Sequence, residues 1–193
     1  MPLHTVVHKT GVYFITFTCH DWLPLIDLGD GYGAVYRFFE VFRRKGHTIT
    51  GYVIMPNHLH ILLHYWGEKK SLNTLIANGK RFMAYEMLKA LEERGEQDAL
   101  HRLAAAVPAK DKAKGQKHCF WKAAFDIKQC RTEKFVLQKL NYLHNNPVSG
   151  KWKLVGSALE YTHSSAPFYH NGRQQLFEVK DYRELLHWET MYE

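Results

Sequence analysis

The stretch His47–His64, HTITGYVIMPNHLHILLH, decides how this chain is read. It divides at Pro56-Asn57 into two runs rich in apolar and β-branched residues, the pattern of two strands meeting at a turn. In the second run, alternation sends His58 and His60 to one face and Leu59, Ile61 and Leu63 to the other. The apolar face marks a core. Two imidazoles at alternate strand positions stand close enough to share one divalent cation. The competing reading is two half-exposed strand histidines without a ligand, in a chain that carries 13 histidines. His64 lies on the same face and becomes an alternative third ligand if the register differs.

Working outward, Val12–His20 alternates aromatic and β-branched residues and predicts a strand. Gly31–Lys45 carries Val35, Phe38, Phe39 and Phe42 at helical spacing, with Gly46 as its stop. Ser71 opens a long helix through Leu75, Phe82, Met83 and Leu88 to about Gly95. Residues 96–118 have little apolar periodicity and read as a basic insertion, partly helical or a mobile loop. A short strand is expected over Phe120–Ile127, and Asp181–Trp188 is an amphipathic helical stretch. The order β-α-β-β-α-β predicts an α+β fold, a ferredoxin-like split βαβ sandwich whose antiparallel sheet carries helices on one face. The expectation is a single domain over residues 1–193, with a C-terminal tail from about residue 170 and no internal repeat.

A second informative segment is Glu133–Val148, EKFVLQKLNYLHNNPV. Phe135, Val136, Leu140 and Leu143 recur at helical spacing, and Thr132 is a fitting N-cap. Tyr142 and Asn146 are four apart, one turn from each other on one helical face. Pro147 stops the helix and biases Asn146 away from helical dihedrals. A phenol oxygen can attack phosphorus when a metal polarises the phosphoryl group, and an amide oxygen can join two imidazoles as a third ligand. The plainer alternative is a Tyr packed at a helix end with an Asn as its cap.

Together, Met55-Pro56-Asn57-His58-Leu59-His60 and Tyr142-Leu143-His144-Asn145-Asn146-Pro147-Val148 resemble the single-tyrosine transposases with a His-hydrophobe-His motif. Within them the chain most resembles the group associated with repetitive extragenic palindromes. Gly11-Val12-Tyr13-Phe14-Ile15-Thr16, Phe120-Trp121-Lys122, Gly150, Tyr161 and Ser164-Ser165-Ala166 add to the match, which spans roughly residues 11–170. The resemblance implies a ferredoxin-like nuclease that cuts and rejoins single-stranded DNA beside a hairpin through a 5′-phosphotyrosine. Position by position, it implies that His58 and His60 bind Mg²⁺ or Mn²⁺, that Tyr142 is the nucleophile, and that Asn146 is the third ligand. Related transposases often have Gln at that last position, and the segment around residues 105–118 looks longer than their usual connection.

Composition is consistent with this. The 193 residues suffice for one substantial core. A net charge of +7 and a pI near 9.2 favour an anionic partner, most commonly nucleic acid. Cys19, Cys119 and Cys130 have no metal-like spacing, so a reducing cytoplasm is expected rather than a disulfide framework. No signal peptide or membrane-spanning stretch is visible, and no membrane partner is expected. Lys80, Arg81, Trp121 and Lys122 are the candidate DNA contacts, with Lys80 favoured because it also fits the family's basic helix position. Arg37, Arg43, Arg44 and Lys45, with Lys110, Lys112, Lys114 and Lys117, are further basic residues that could track a backbone, and Tyr161 could stack on a base. Single-stranded or hairpin DNA is the expected partner, and a homodimer stays open. Two other classes stay open as well: a catalytically silent module that binds palindromic repeats, and a metal-dependent phosphodiesterase that uses water.

Overall fold

The computed structural model describes residues 6–122, 125–150 and 152–185. Its elements run β1 (Gly11–Thr18), α1 (Leu25–Leu28), α2 (Tyr32–Arg44), β2 (Thr48–Met55), β3 (His58–Tyr65) and α3 (Leu72–Glu93). They continue with α4 (Gln97–Ala105), α5 (Ala109–Lys112), β4 (Asp126–Cys130), α6 (Glu133–Asn145), α7 (Ala166–Asn171) and α8 (Tyr182–Leu185). The four strands form one sheet in the order β2-β3-β1-β4, every pairing antiparallel. This is the expected split βαβ arrangement.

Both faces of that sheet are covered. Tyr13, Ile15 and Phe17 of β1 and Leu59, Ile61 and Leu63 of β3 point into a large core with Val35, Phe38, Phe39 and Phe42 of α2 and Ile76, Met83 and Met87 of α3. These two helices are the pair that the sandwich places on one face. The opposite face, which carries His58 and His60, is roofed by α6 through Val136, Leu140 and Leu143, packed on Val12, Phe14, Val53, Met55 and Leu62. The expectation of helices on one face alone is therefore corrected. The apolar stripe of α6 needs its own partner, and the even-numbered positions of β1 and β3 supply it. A bulge in β2 leaves Thr50 outside the ladder, its hydroxyl donating to the Leu62 carbonyl at 3.1 Å. At the next residue, Gly51, a Cβ would stand 2.7 Å from Leu140 Cδ1, so the missing side chain lets α6 lie close on the sheet.

Other boundaries follow the local signals. Ser71 caps α3 by accepting from the Thr74 amide, and Thr132 caps α6 by accepting from the Phe135 amide. Residues 96–118 are more ordered than a loop: Ala99, Leu100 and Leu103 of α4 are buried, enough of an apolar edge to dock a short helix. The fourth strand begins later than expected, at Asp126; Phe120 and Trp121 are buried on the core, and Trp121 makes an isolated bridge with Cys19. Asn146 stays helical at φ −54°, ψ −46° despite the proline after it, because the chain runs on into a 3-10 turn over Asn146–Val148. Residues 163–165 hydrogen-bond along the outer edge of β2, Ile54 N–H to the His163 carbonyl and Ser165 N–H to the Tyr52 carbonyl, so that edge is not exposed. Only the start of the expected 181–188 helix lies within the described residues, as α8. No helix among them is long and apolar enough to cross a membrane.

Candidate active site

His58 and His60 project from β3 into the layer beneath α6, with ring centroids 4.9 Å apart, and both are buried. The reading of these residues as half-exposed strand histidines does not survive this burial. Each ring is fixed through Nδ1. In His60 this nitrogen lies 2.9 Å from the Thr16 hydroxyl, its cross-strand partner on β1. In His58 it lies 2.6 Å from Asn57 Oδ1. The remaining nitrogen, Nε2, is thus the one each ring presents to the site.

Asn146 completes the group. Its Oδ1 lies 3.0 Å from His58 Nε2, while its Nδ2 donates to the Tyr142 carbonyl at 3.0 Å. The fully buried Asn57 is oriented in the same way, because its Nδ2 donates to the Trp22 carbonyl at 3.1 Å. Both amides therefore turn an oxygen toward His58, which faces one acceptor at each nitrogen. Desolvation pushes the His58 pKa down and that of His60 well down, so both rings are neutral at pH 7. A neutral imidazole has one N–H and can satisfy one of two acceptors. With Nδ1–H donated to Asn57, the lone pairs of His58 Nε2 and Asn146 Oδ1 face each other. His60 Nε2 is buried with no hydrogen-bond partner among the described residues.

Two imidazole nitrogens and an amide oxygen with lone pairs turned inward are a donor set for a divalent cation. The 3.0 Å between His58 Nε2 and Asn146 Oδ1 matches neighbouring ligands of a six-coordinate ion with bonds of about 2.1 Å. The donor set fits a divalent cation. Among the described residues no group of three His, Cys, Asp or Glu side chains could hold a metal, so a third side-chain donor beside the two imidazoles would have to be of another kind, such as the Asn146 amide. His64 is not an alternative. It is fully buried four residues along β3 and packs tilted against Trp66, with centroids 4.1 Å apart at 46°.

Tyr142 stands over this group from α6. Its ring lies 5.1 Å from His60 and 6.0 Å from Phe14, and 53% of the residue is exposed, an unusual exposure for a tyrosine so close to a buried cluster. Lys139, one turn earlier, holds its ammonium 5.7 Å from the Tyr142 ring centroid and 5.0 Å from that of Phe14. His144 faces away, its Nε2 2.9 Å from the Ser165 hydroxyl.

The basic and aromatic candidates separate sharply. Lys80 is buried, donates to the Lys122 carbonyl at 2.9 Å, and has its pKa pushed down to about 8 by desolvation. Trp121 is buried and returns the contact, its Nε1–H donating to the Lys80 carbonyl at 2.8 Å. The two tie residues 121–122 to α3, at the wall of a cleft between that helix and residues 111–122. Tyr161 is likewise buried, donating to the Ile54 carbonyl. Arg81 is exposed, and the Lys122 ammonium sits 4.4 Å from the Trp22 ring centroid. Along α2, Arg37 pairs with Glu86 and Arg43 with Glu40, and just past its end Lys45 pairs with Glu68, whereas Lys110, Lys112, Lys114 and Lys117 are exposed. Sequence reasoning missed Thr16, Asn57, Lys139 and Trp22. The signal for Asn57 was adjacency to the motif; for the other three there was none, since the sheet register and the α6 docking bring them in.

No family model matches the chain. No curated protein matches it either. Among solved structures, one described as a REP-associated tyrosine transposase bound to a REP hairpin superposes with a TM-score of 0.59 and 16% identity, over 94% of this chain and 92% of that one. The chain has the fold of that transposase. A putative transposase from Deinococcus radiodurans covers 75% of this chain and 97% of its own at 13% identity, with a TM-score of 0.43, too loose to bear on the fold.

Proposed function

We propose that this protein is a metal-dependent transposase-type endonuclease that cuts and rejoins single-stranded DNA beside a hairpin, with Tyr142 as nucleophile. The observation that carries the reading is the grouping of the His58 and His60 rings with Asn146 Oδ1 beneath an exposed tyrosine. The shared fold with a transposase that was bound to a REP hairpin supports it.

His58, His60 and Asn146 would hold Mg²⁺ or Mn²⁺. Such an ion, when bound, polarises a phosphoryl oxygen and offsets charge that develops in the transition state. The chain's own groups do the rest. The Tyr142 oxygen attacks the scissile phosphorus, a P–O bond to tyrosine forms, and the bond to the 3′-oxygen breaks. The tyrosine proton passes to solvent, the leaving oxygen takes up a proton and ends as a 3′-hydroxyl, and the 5′-phosphate stays on Tyr142. Because one phosphodiester replaces another, a second 3′-hydroxyl can reverse the step without an external energy source. Lys139 holds its ammonium over the Tyr142 ring, 5.7 Å from the centroid, a positive charge near the reacting groups.

The test is incubation of a hairpin oligonucleotide carrying single-stranded flanks with Mn²⁺, read on a denaturing gel. Wild type should give cleavage and a covalent protein–DNA band mapping to Tyr142. Tyr142→Phe should lose both while still binding the hairpin. Cleavage that persists in Tyr142→Phe, or products without an adduct, would overturn the tyrosine mechanism and favour water as nucleophile.

A further inference from the structure

Trp22 leaves much of its indole open, and the backbone takes an unusual conformation to present it. Asp21 and Trp22 both take left-handed dihedrals, φ 49° and 58°, a conformation that non-glycine residues avoid and that concentrates at functional sites. The turn is held from below by Asn57, whose Nδ2 donates to the Trp22 carbonyl while its Oδ1 meets His58 Nδ1. One buried amide thus fixes both a ring of the candidate metal site and the turn that carries the indole. The indole stands edge-on to His58, centroids 5.7 Å apart at 77°, and Trp22 is 49% exposed. Lys122 brings its ammonium to 4.4 Å from the indole centroid. Beyond Lys122 opens a cleft of about 710 Å³ between α3 and residues 111–122, lined among others by Arg81, Tyr85, Lys89, Lys117 and His118.

An exposed indole with a cation at its face is a surface for an unpaired nucleobase and its phosphate: the π-face takes any base, and the ammonium neutralises the backbone. We infer that Trp22 is a base-stacking platform for the nucleotide flanking the scissile phosphate. Lys122 neutralises that nucleotide's phosphate and leads the strand toward the basic cleft. This rests on the single-stranded DNA reading above. It assigns to Trp22 the positioning of the strand, so that the phosphate arrives at Tyr142 in line.

The experiment uses the full chain with Tyr142→Phe, so that binding is measured without cleavage. The probe is a DNA hairpin with a short single-stranded flank, made as a series in which one flank nucleotide at a time is abasic. With Trp22 present, one abasic position should weaken binding about tenfold, as loss of one stacked base does. Trp22→Ala should bind the intact probe about tenfold more weakly and become indifferent to that same position, whereas Trp22→Phe should keep most of the affinity and the sensitivity. Lys122→Met should lower the slope of log affinity against log salt by about one phosphate contact. A flat abasic profile with Trp22 present, or an unchanged profile in Trp22→Ala, overturns the platform. If the Tyr142 protein still cleaves in that case, the nuclease reading stands alone. A wild type that binds no hairpin overturns both.

Discussion

At the scale of single residues, the site depends on which way two amides point. Asn57 and Asn146 each use their NH₂ on a backbone carbonyl, so each turns an oxygen to His58. That leaves His58 with an acceptor at each ring nitrogen, and a neutral ring, with one N–H, can satisfy only one of them. Orientation of His60 depends on Thr16, whose hydroxyl is its Nδ1 partner. Thr16→Val keeps the shape and removes that partner. Groups that orient metal-binding imidazoles typically contribute 10–100-fold in affinity, so Mn²⁺ binding measured by calorimetry should weaken by about tenfold or more. Hairpin binding without metal should change little; an unchanged Mn²⁺ affinity would remove Thr16 from the site.

At the scale of elements, close approach decides more than propensity does. Gly79 sits in the middle of α3, where glycine costs a helix about 1 kcal/mol relative to alanine. A Cβ there would lie 2.1 Å from Phe38 Cε2, and Phe38 is buried between α2 and α3. Gly79→Ala therefore gains in propensity and loses in overpacking, an effect of about 1–3 kcal/mol. The packing loss should win, lowering the thermal midpoint, while helix content by circular dichroism stays the same. A raised midpoint would mean that the Phe38 ring moves aside freely.

At the scale of the whole molecule, two global responses follow. The net charge of +7 and the exposed lysines of residues 110–117 predict DNA affinity that falls linearly in log–log terms with salt, by several contacts' worth of slope. A flat response would sever the link between charge and binding. Acid should also unfold the protein early. Burial pushes the His64 pKa down to about 4 from an ordinary 6.5, and neither ring nitrogen has a hydrogen-bond partner among the described residues. The unfolded chain then binds a proton at this residue between those values and the folded protein does not. Stability from this group is fully present above about pH 6.5 and is lost as pH falls toward 4, at most about 1.4 kcal/mol per pH unit. Urea midpoints against pH should show this slope, and His64→Leu should reduce it.

What the sequence determined by itself was local or periodic. Alternation in β3 placed His58 and His60 on one face, helical spacing put Tyr142 and Asn146 a turn apart, and Ser71 and Thr132 started their helices where caps were expected. These signals need nothing beyond neighbours in the chain. The tertiary structure alone decided that the histidine face is roofed by α6, because two apolar surfaces far apart in sequence had to find each other. That docking brings Asn146 to His58 across 88 positions and sets Tyr142 over His60. It also decided how Lys80 and Trp121 are held: each donates to a backbone carbonyl of the other's segment, at the wall of the cleft beside α3. Burial and partner choice are properties of the packed chain, and no spacing rule encodes them.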